Sequence, residues 1–264
     1  MSTRLITAAA ACLALLSGPA LALPAQASLP GYRLATASAD GVNRSVVRWN
    51  PCQPITVKVN LGALPSPLRP AGLKDTKTAL RRVSVATGHT FSYLGQTREV
   101  PRTATVRGQS ADIVVAWTTP AKTDYPVSGN LFGHGGELDT TAAQPTLDGG
   151  VRYFGPWIMR GFVVLDTPQI IRDRAKRSGA GVSQVNMLLH ELGHAVGLEH
   201  VANRSQLMNP YLTGKSPAGY GAGDLAGLRK VGQAAGCITL PGPDPVPLDP
   251  TDPPVTSTIE ITIG

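Results

Sequence analysis

Eleven consecutive residues, His190-Glu191-Leu192-Gly193-His194-Ala195-Val196-Gly197-Leu198-Glu199-His200, leave this chain little choice of local structure. They fit the pattern H-E-x-x-H-x-x-G-x-x-H, whose five fixed positions make it far more specific than a bare H-E-x-x-H. Residues four apart on an α-helix differ by about 40° around the axis, so His190 and His194 project from one face, one turn apart. Glu191 is rotated by about 100° from His190 and lies beside that pair. A continuing helix would carry His200 past the other two histidines, so the chain must turn back. Gly197 can make that turn, because glycine reaches left-handed backbone angles without steric penalty.

Three neutral imidazoles around one point leave a fourth position open, the arrangement of a catalytic zinc and not of a closed structural one. The expected ligands are His190, His194 and His200, with Glu191 as the general base for a water molecule. A zinc ion would also polarise a peptide carbonyl, so hydrolysis of peptide bonds is the expected reaction. Two alternatives stay open. A zinc-stabilised binding module would need no Glu191, whereas a zinc hydrolase of a cell-wall component would use nearly the same proton chemistry.

The rest of the chain supplies a body for this site. Ile55 to Asn60 alternates apolar and polar residues like a half-buried strand. Ala71 to Thr87 has helical spacing and a stop at Gly88. Thr90–Leu94, Asp112–Trp117 and Phe162–Asp166 read as further strands, the second apolar enough to be central. Ser183 can cap a helix over Gln184 to Val196, and Asp224 a short last helix through Val231. Residues 28–44 read as an extended arm without a core of its own, and 118–161, rich in Gly, Thr, Asp and Pro, as a functional or ion-held loop. His89 reads as a helix-end residue outside the site.

Residues 1–27 carry Arg4, an apolar run from Leu5 to Leu16 and small-residue cleavage patterns, which together predict a secretory signal peptide. No later stretch is long and apolar enough for a bilayer span, so a soluble product outside the cytoplasm, without stable membrane insertion, is expected. Cys12 falls inside that segment, leaving Cys52 and Cys237 to form one disulfide in an oxidising compartment. A free Cys52 thiolate on the zinc is the competing reading, and it would leave Cys237 without a partner. The net charge of +7 does not indicate a nucleic-acid partner, because the basic residues are scattered. Their densest cluster, Arg172, Arg174, Lys176 and Arg177, reads as a solvated face that could also steer the protein to an anionic polymer. The division expected is a signal peptide (1–27), an arm (28–45), a catalytic domain (46–240) and a Pro-rich tail (241–264).

Most of residues 46–236 resembles the metzincin metallopeptidases, and within them the matrixins and their secreted bacterial relatives. Beyond the zinc signature, Leu207-Met208-Asn209-Pro210-Tyr211 looks like the family's Met-turn, which would put Met208 as an apolar floor beneath the ligands. The resemblance implies an α+β fold with a twisted mixed sheet, a long active-site helix and a small loop-rich C-terminal subdomain. It also implies a monomeric zinc endopeptidase acting on protein or peptide substrates, with Asp224 bracing the catalytic helix. A substrate is expected to lie antiparallel on the sheet edge near residues 155–165. No segment resembles the family's propeptide or its cysteine-switch motif. The 118–161 stretch keeps His134, Asp139 and Asp148 without a clear match to the family's structural metal motifs. A structural Ca2+ or second Zn2+ there stays open beside the reading of His134 as a surface or substrate-facing residue.

Overall fold

The computed structural model describes residues 31–146, 150–173 and 175–239, together with the backbone of 246–247 and 259–260. The signal-peptide segment, Asp148, Arg174 and most of the Pro-rich tail therefore lie outside the described residues. In chain order the elements are β1 (Arg33–Leu34), β2 (Thr36–Ser38), β3 (Arg44–Val46), β4 (Ile55–Asn60), α1 (Arg69–Thr87), β5 (Phe91–Gln96), β6 (Ile113–Thr118), β7 (Gly133–Pro145), β8 (Val151–Asp166), α2 (Thr167–Arg172), α3 (Gln184–Ala195), β9 (Leu198–Glu199) and α4 (Ala222–Val231). Two short tail strands follow, β10 (Val246–Pro247) and β11 (Ile259–Glu260).

The fold is α+β. Its main sheet runs β7-β8-β6-β4-β5, with β8, β6, β4 and β5 parallel and β7 antiparallel to β8. Every residue of β6 is buried, as a strand covered on both faces requires. One face carries α1 and α3, whose apolar residues, among them Leu80, Val83, Leu188 and Leu192, pack over Val57, Val115 and Val163. The connections around Val106, Tyr125 and Val127 cover the other face against Phe162 and Val164. No described helix is long and apolar enough to cross a membrane.

Two expectations are corrected. Within the expected 118–161 loop, residues 133–161 are mostly not loop: β7 and β8 form one long hairpin, paired from Gly133 opposite Leu165 to Pro145 opposite Val151 with register shifts at Leu138/Asp139 and Thr140/Ala142. Gly133 and Gly135, which read as loop residues, serve close packing against Glu191. A Cβ on Gly135 would lie 2.3 Å from the Glu191 carbonyl oxygen, so only glycine lets β7 touch α3. Of the expected 28–44 arm, the described part from residue 31 is likewise not free: β1 pairs with β9, β2 pairs with β3, and Ala35 and Ala37 are buried in the core.

The hairpin also moves the sheet edge. β8 is flanked by β7 and β6, and beyond β6 its Ile158 N–H donates to the Arg48 carbonyl at 3.0 Å, so residues 155–165 offer no free edge. The edge strand on that side of the five-stranded body is β7, and the tail strands β10 and β11 pair with it antiparallel. The Cys52–Cys237 disulfide is present, with a Cα–Cα distance of 5.4 Å, and joins residues 185 apart. In the basic cluster, Arg177 is not merely solvated: its guanidinium makes two bonds to the buried Asp75 carboxylate of α1, at 2.7 and 3.0 Å.

Candidate active site

Helix α3 begins where Ser183 accepts the Asn186 N–H at 3.2 Å, and it ends at Ala195. Gly197 then takes a φ of +97°, and a Cβ there would lie 2.7 Å from the Val47 carbonyl oxygen, so both conformation and space require glycine. The reversal returns His200 to the face that bears His190 and His194. The Trp49 indole holds the helix end by donating to the Ala195 carbonyl at 2.9 Å.

The Nε2 atom of His190 lies 3.0 Å from that of His200 and 3.1 Å from that of His194. On the far side of its ring, His190 donates Nδ1–H to the Leu207 carbonyl, and His194 donates likewise to Leu198, each at 2.7 Å. Those bonds fix the tautomers and leave both Nε2 atoms as bare lone pairs. Two such acceptors cannot hydrogen-bond to each other at 3.1 Å, so a shared cation is what reconciles them. A tetrahedral zinc with nitrogen ligands needs about 3.3 Å between ligand atoms, and this donor set fits it. Burial, together with the neighbouring imidazoles, pushes all three histidines well below the usual imidazole range, which keeps them neutral. Among the described residues, these three form the group able to hold a metal ion.

Glu191 is fully buried, and among the described residues neither carboxylate oxygen makes a well-formed hydrogen bond, the Gly135 N–H being the donor nearest in kind. Burial pushes its carboxyl well above the usual carboxylate range, so it is poised to take up a proton. Beside it runs β7, where a Cβ on Gly133 would come within 2.5 Å of Glu191 Oε1. Met208 is buried, and its sulfur fills the notch left by Gly193, between His190 and His194 on α3.

Asp224 is not the cap residue of α4 but sits inside its first turn. Its carboxylate accepts from Leu207 N–H at 2.6 Å, Gly221 N–H at 2.9 Å and Met208 N–H at 3.4 Å. The same Leu207 peptide carries the carbonyl that holds His190, so Asp224 braces the ligand through one peptide unit. Burial lifts its pKa to about 6. The carbonyls of Leu198 and Leu207 were not legible in the sequence, because any residue offers a carbonyl.

His134 is fully buried, contrary to a surface or substrate-facing role, and stacks with Tyr125 and Phe162 at ring distances of 5.1 and 5.9 Å. The sequence model described as Matrixin matches residues 75–231, which is more than half of the chain and spans every residue of the site. No curated protein matches.

Proposed function

The chain belongs to the matrixin family of metallopeptidases, and from that premise we propose that it is a secreted zinc endopeptidase in which Glu191 is the general base. The observation that carries this reading is the convergence of three imidazole lone pairs beside a buried carboxylate that makes no well-formed hydrogen bond among the described residues. His190, His194 and His200 would hold the ion, which when bound supplies a Lewis acid that acidifies water and polarises a carbonyl. Glu191 removes a proton from the attacking water on a carboxylate oxygen and returns it to the departing amine nitrogen. Met208 closes the floor against solvent, and Gly197 sets the reach of His200.

A substrate strand would lie antiparallel along the outer edge of β7, beside Glu191. That edge accepts backbone pairing in this sense, since Ile259 and Glu260 pair there with Gly135 and His134. Export is read from residues 1–27, and the disulfide suits an oxidising compartment. A mixed peptide library, offered with and without a chelator to the wild type and to Glu191→Ala, tests the proposal. Wild type should cleave and lose activity with the chelator. Glu191→Ala should keep its zinc yet lose about 100-fold or more in kcat/KM. A wild type that cleaves no peptide defeats the endopeptidase reading. A zinc-loaded Glu191→Ala of full activity defeats the assigned base.

A further inference from the structure

A second cavity, away from the histidines, has its own chemistry. It encloses about 630 Å³ and is lined by Asn60, Gln96 and Thr118, the last residues of β4, β5 and β6. These strands are parallel, so all three deliver their carboxyl ends to one place. After β4 the chain leaves through α1 toward the β5 edge, whereas after β6 it leaves toward β7 at the opposite edge. The crevice outside the carboxyl ends of such diverging strands is where open parallel sheets bind small ligands. The volume is that of a small-molecule site.

The lining is cationic. Arg69, Arg98 and Lys122 line the cavity, Arg69 with its Nε donating to the Leu64 carbonyl at 3.0 Å and an Nη left for a ligand, and no acidic residue among the described ones lines it. None of the three takes part in an ion pair found among the described residues. The adjacent Glu99 turns its carboxylate to the Ser110 N–H at 3.1 Å and lines a different cavity. Thr118 is only 1% exposed, and its hydroxyl has no hydrogen-bond partner among the described residues. A buried hydroxyl left without a partner costs free energy unless a ligand answers it. Trp117 adds an apolar wall.

The geometry points to a binding site for a phosphate-bearing ligand, held by Arg69, Arg98 and Lys122 and by a hydrogen bond from Thr118. Guanidinium forks match phosphate oxygens two at a time, and a lysine adds a mobile charge. The site lies on the far side of β8 from the β7 edge, and it stands independently of the zinc reading. The phosphate could be that of a free monoester or of a polymer threaded through the opening.

Calorimetric titration of the full chain with glycerol 3-phosphate and, separately, with a short poly(glycerol phosphate) tests this and distinguishes the two sources. Arg98→Gln/Lys122→Gln should weaken binding about tenfold or more, and Thr118→Val, which keeps the charge, should weaken it about threefold or more. Both replaced cations are exposed, so the fold should survive, as circular dichroism would verify. Lys74→Gln/Arg81→Gln makes the same change in net charge on the exposed face of α1 and should leave binding intact. Saturable binding of the monoester assigns a free ligand, and binding of the polymer alone assigns a chain. Absence of saturable binding by either probe overturns the site. Equal weakening by the control pair does so too, because net charge and not the cavity would then be the cause.

Discussion

All five histidines of the chain are buried or half-buried, yet the three-histidine site and the body of the sheet use them differently. In the site, His190, His194 and His200 turn their Nε2 atoms toward one point, while backbone carbonyls hold the far nitrogens of the first two. In the body, His89 stands edge-on to Phe91 and His134 lies in a stack with Tyr125 and Phe162. Burial lowers the pKa of all five, so a depressed pKa does not distinguish a ligand from a packed ring. Orientation does. A site exists where the backbone fixes which nitrogen is bare and where that nitrogen points.

The most severe way to break this contrast is to remove single rings from each region. His190→Ala and His200→Ala should lose most of their zinc, measured by elemental analysis, and at least about 1,000-fold in kcat/KM. Even partners behind the ligands cost 10- to 100-fold in metal affinity, and loss of a ligand exceeds that. His89→Phe and His134→Phe should keep the metal content of the wild type. Loss of zinc from His134→Phe to the same degree would erase the distinction between the regions.

A smaller effect should come from the contact between them. Gly135→Ala drives a methyl into the Glu191 backbone, which must move away from β7. Misplacement of a reacting group by about 1 Å costs roughly 100-fold, so kcat should fall by that order with zinc retained. Gly214→Ala, where a methyl meets nothing within 4 Å, should be silent. Next, Asp224→Asn replaces a carboxylate that accepts three N–H groups with an amide that offers one acceptor. Zinc affinity should drop by about 10- to 30-fold through the Leu207 carbonyl. A variant with unchanged affinity would show that the brace serves α4 alone.

These contacts also mark what the sequence could reveal. The motif was legible because helical spacing and one glycine fix four side chains locally. β4, α1 and β6 were legible from apolar periodicity, and α1 from its stop at Gly88, which takes a φ of +77°. The hairpin was not, because Gly133 and Gly135 are poor strand formers whose purpose is visible only once α3 lies against them. Taking Phe162–Asp166 for an isolated strand then made β8 the edge and hid β7. Asp224 read as a cap because nothing in its neighbours reveals a bond to Leu207, 17 positions away. The cations of the proposed phosphate cavity come from the start of α1 and from two separate connections, so no local run announces them.

The mildest test concerns acid. His89 has its pKa lowered to about 4, first by burial and further by the charge of Arg48. An unfolded histidine titrates near 6.5, so between pH 6.5 and 4 the unfolded chain binds a proton that the folded chain refuses. Stability from this residue is therefore complete above 6.5 and drains away as pH falls, by up to about 1.4 kcal/mol per pH unit. Denaturant unfolding of zinc-loaded wild type and His89→Phe at pH 6 and pH 5 isolates it, since the clustered histidines are common to both proteins. The wild type should lose about 1 kcal/mol more than the variant over that unit. Parallel losses would mean that His89 stays solvated or changes its partner on protonation, and the body of the sheet would then tolerate a charge that the three-histidine site does not.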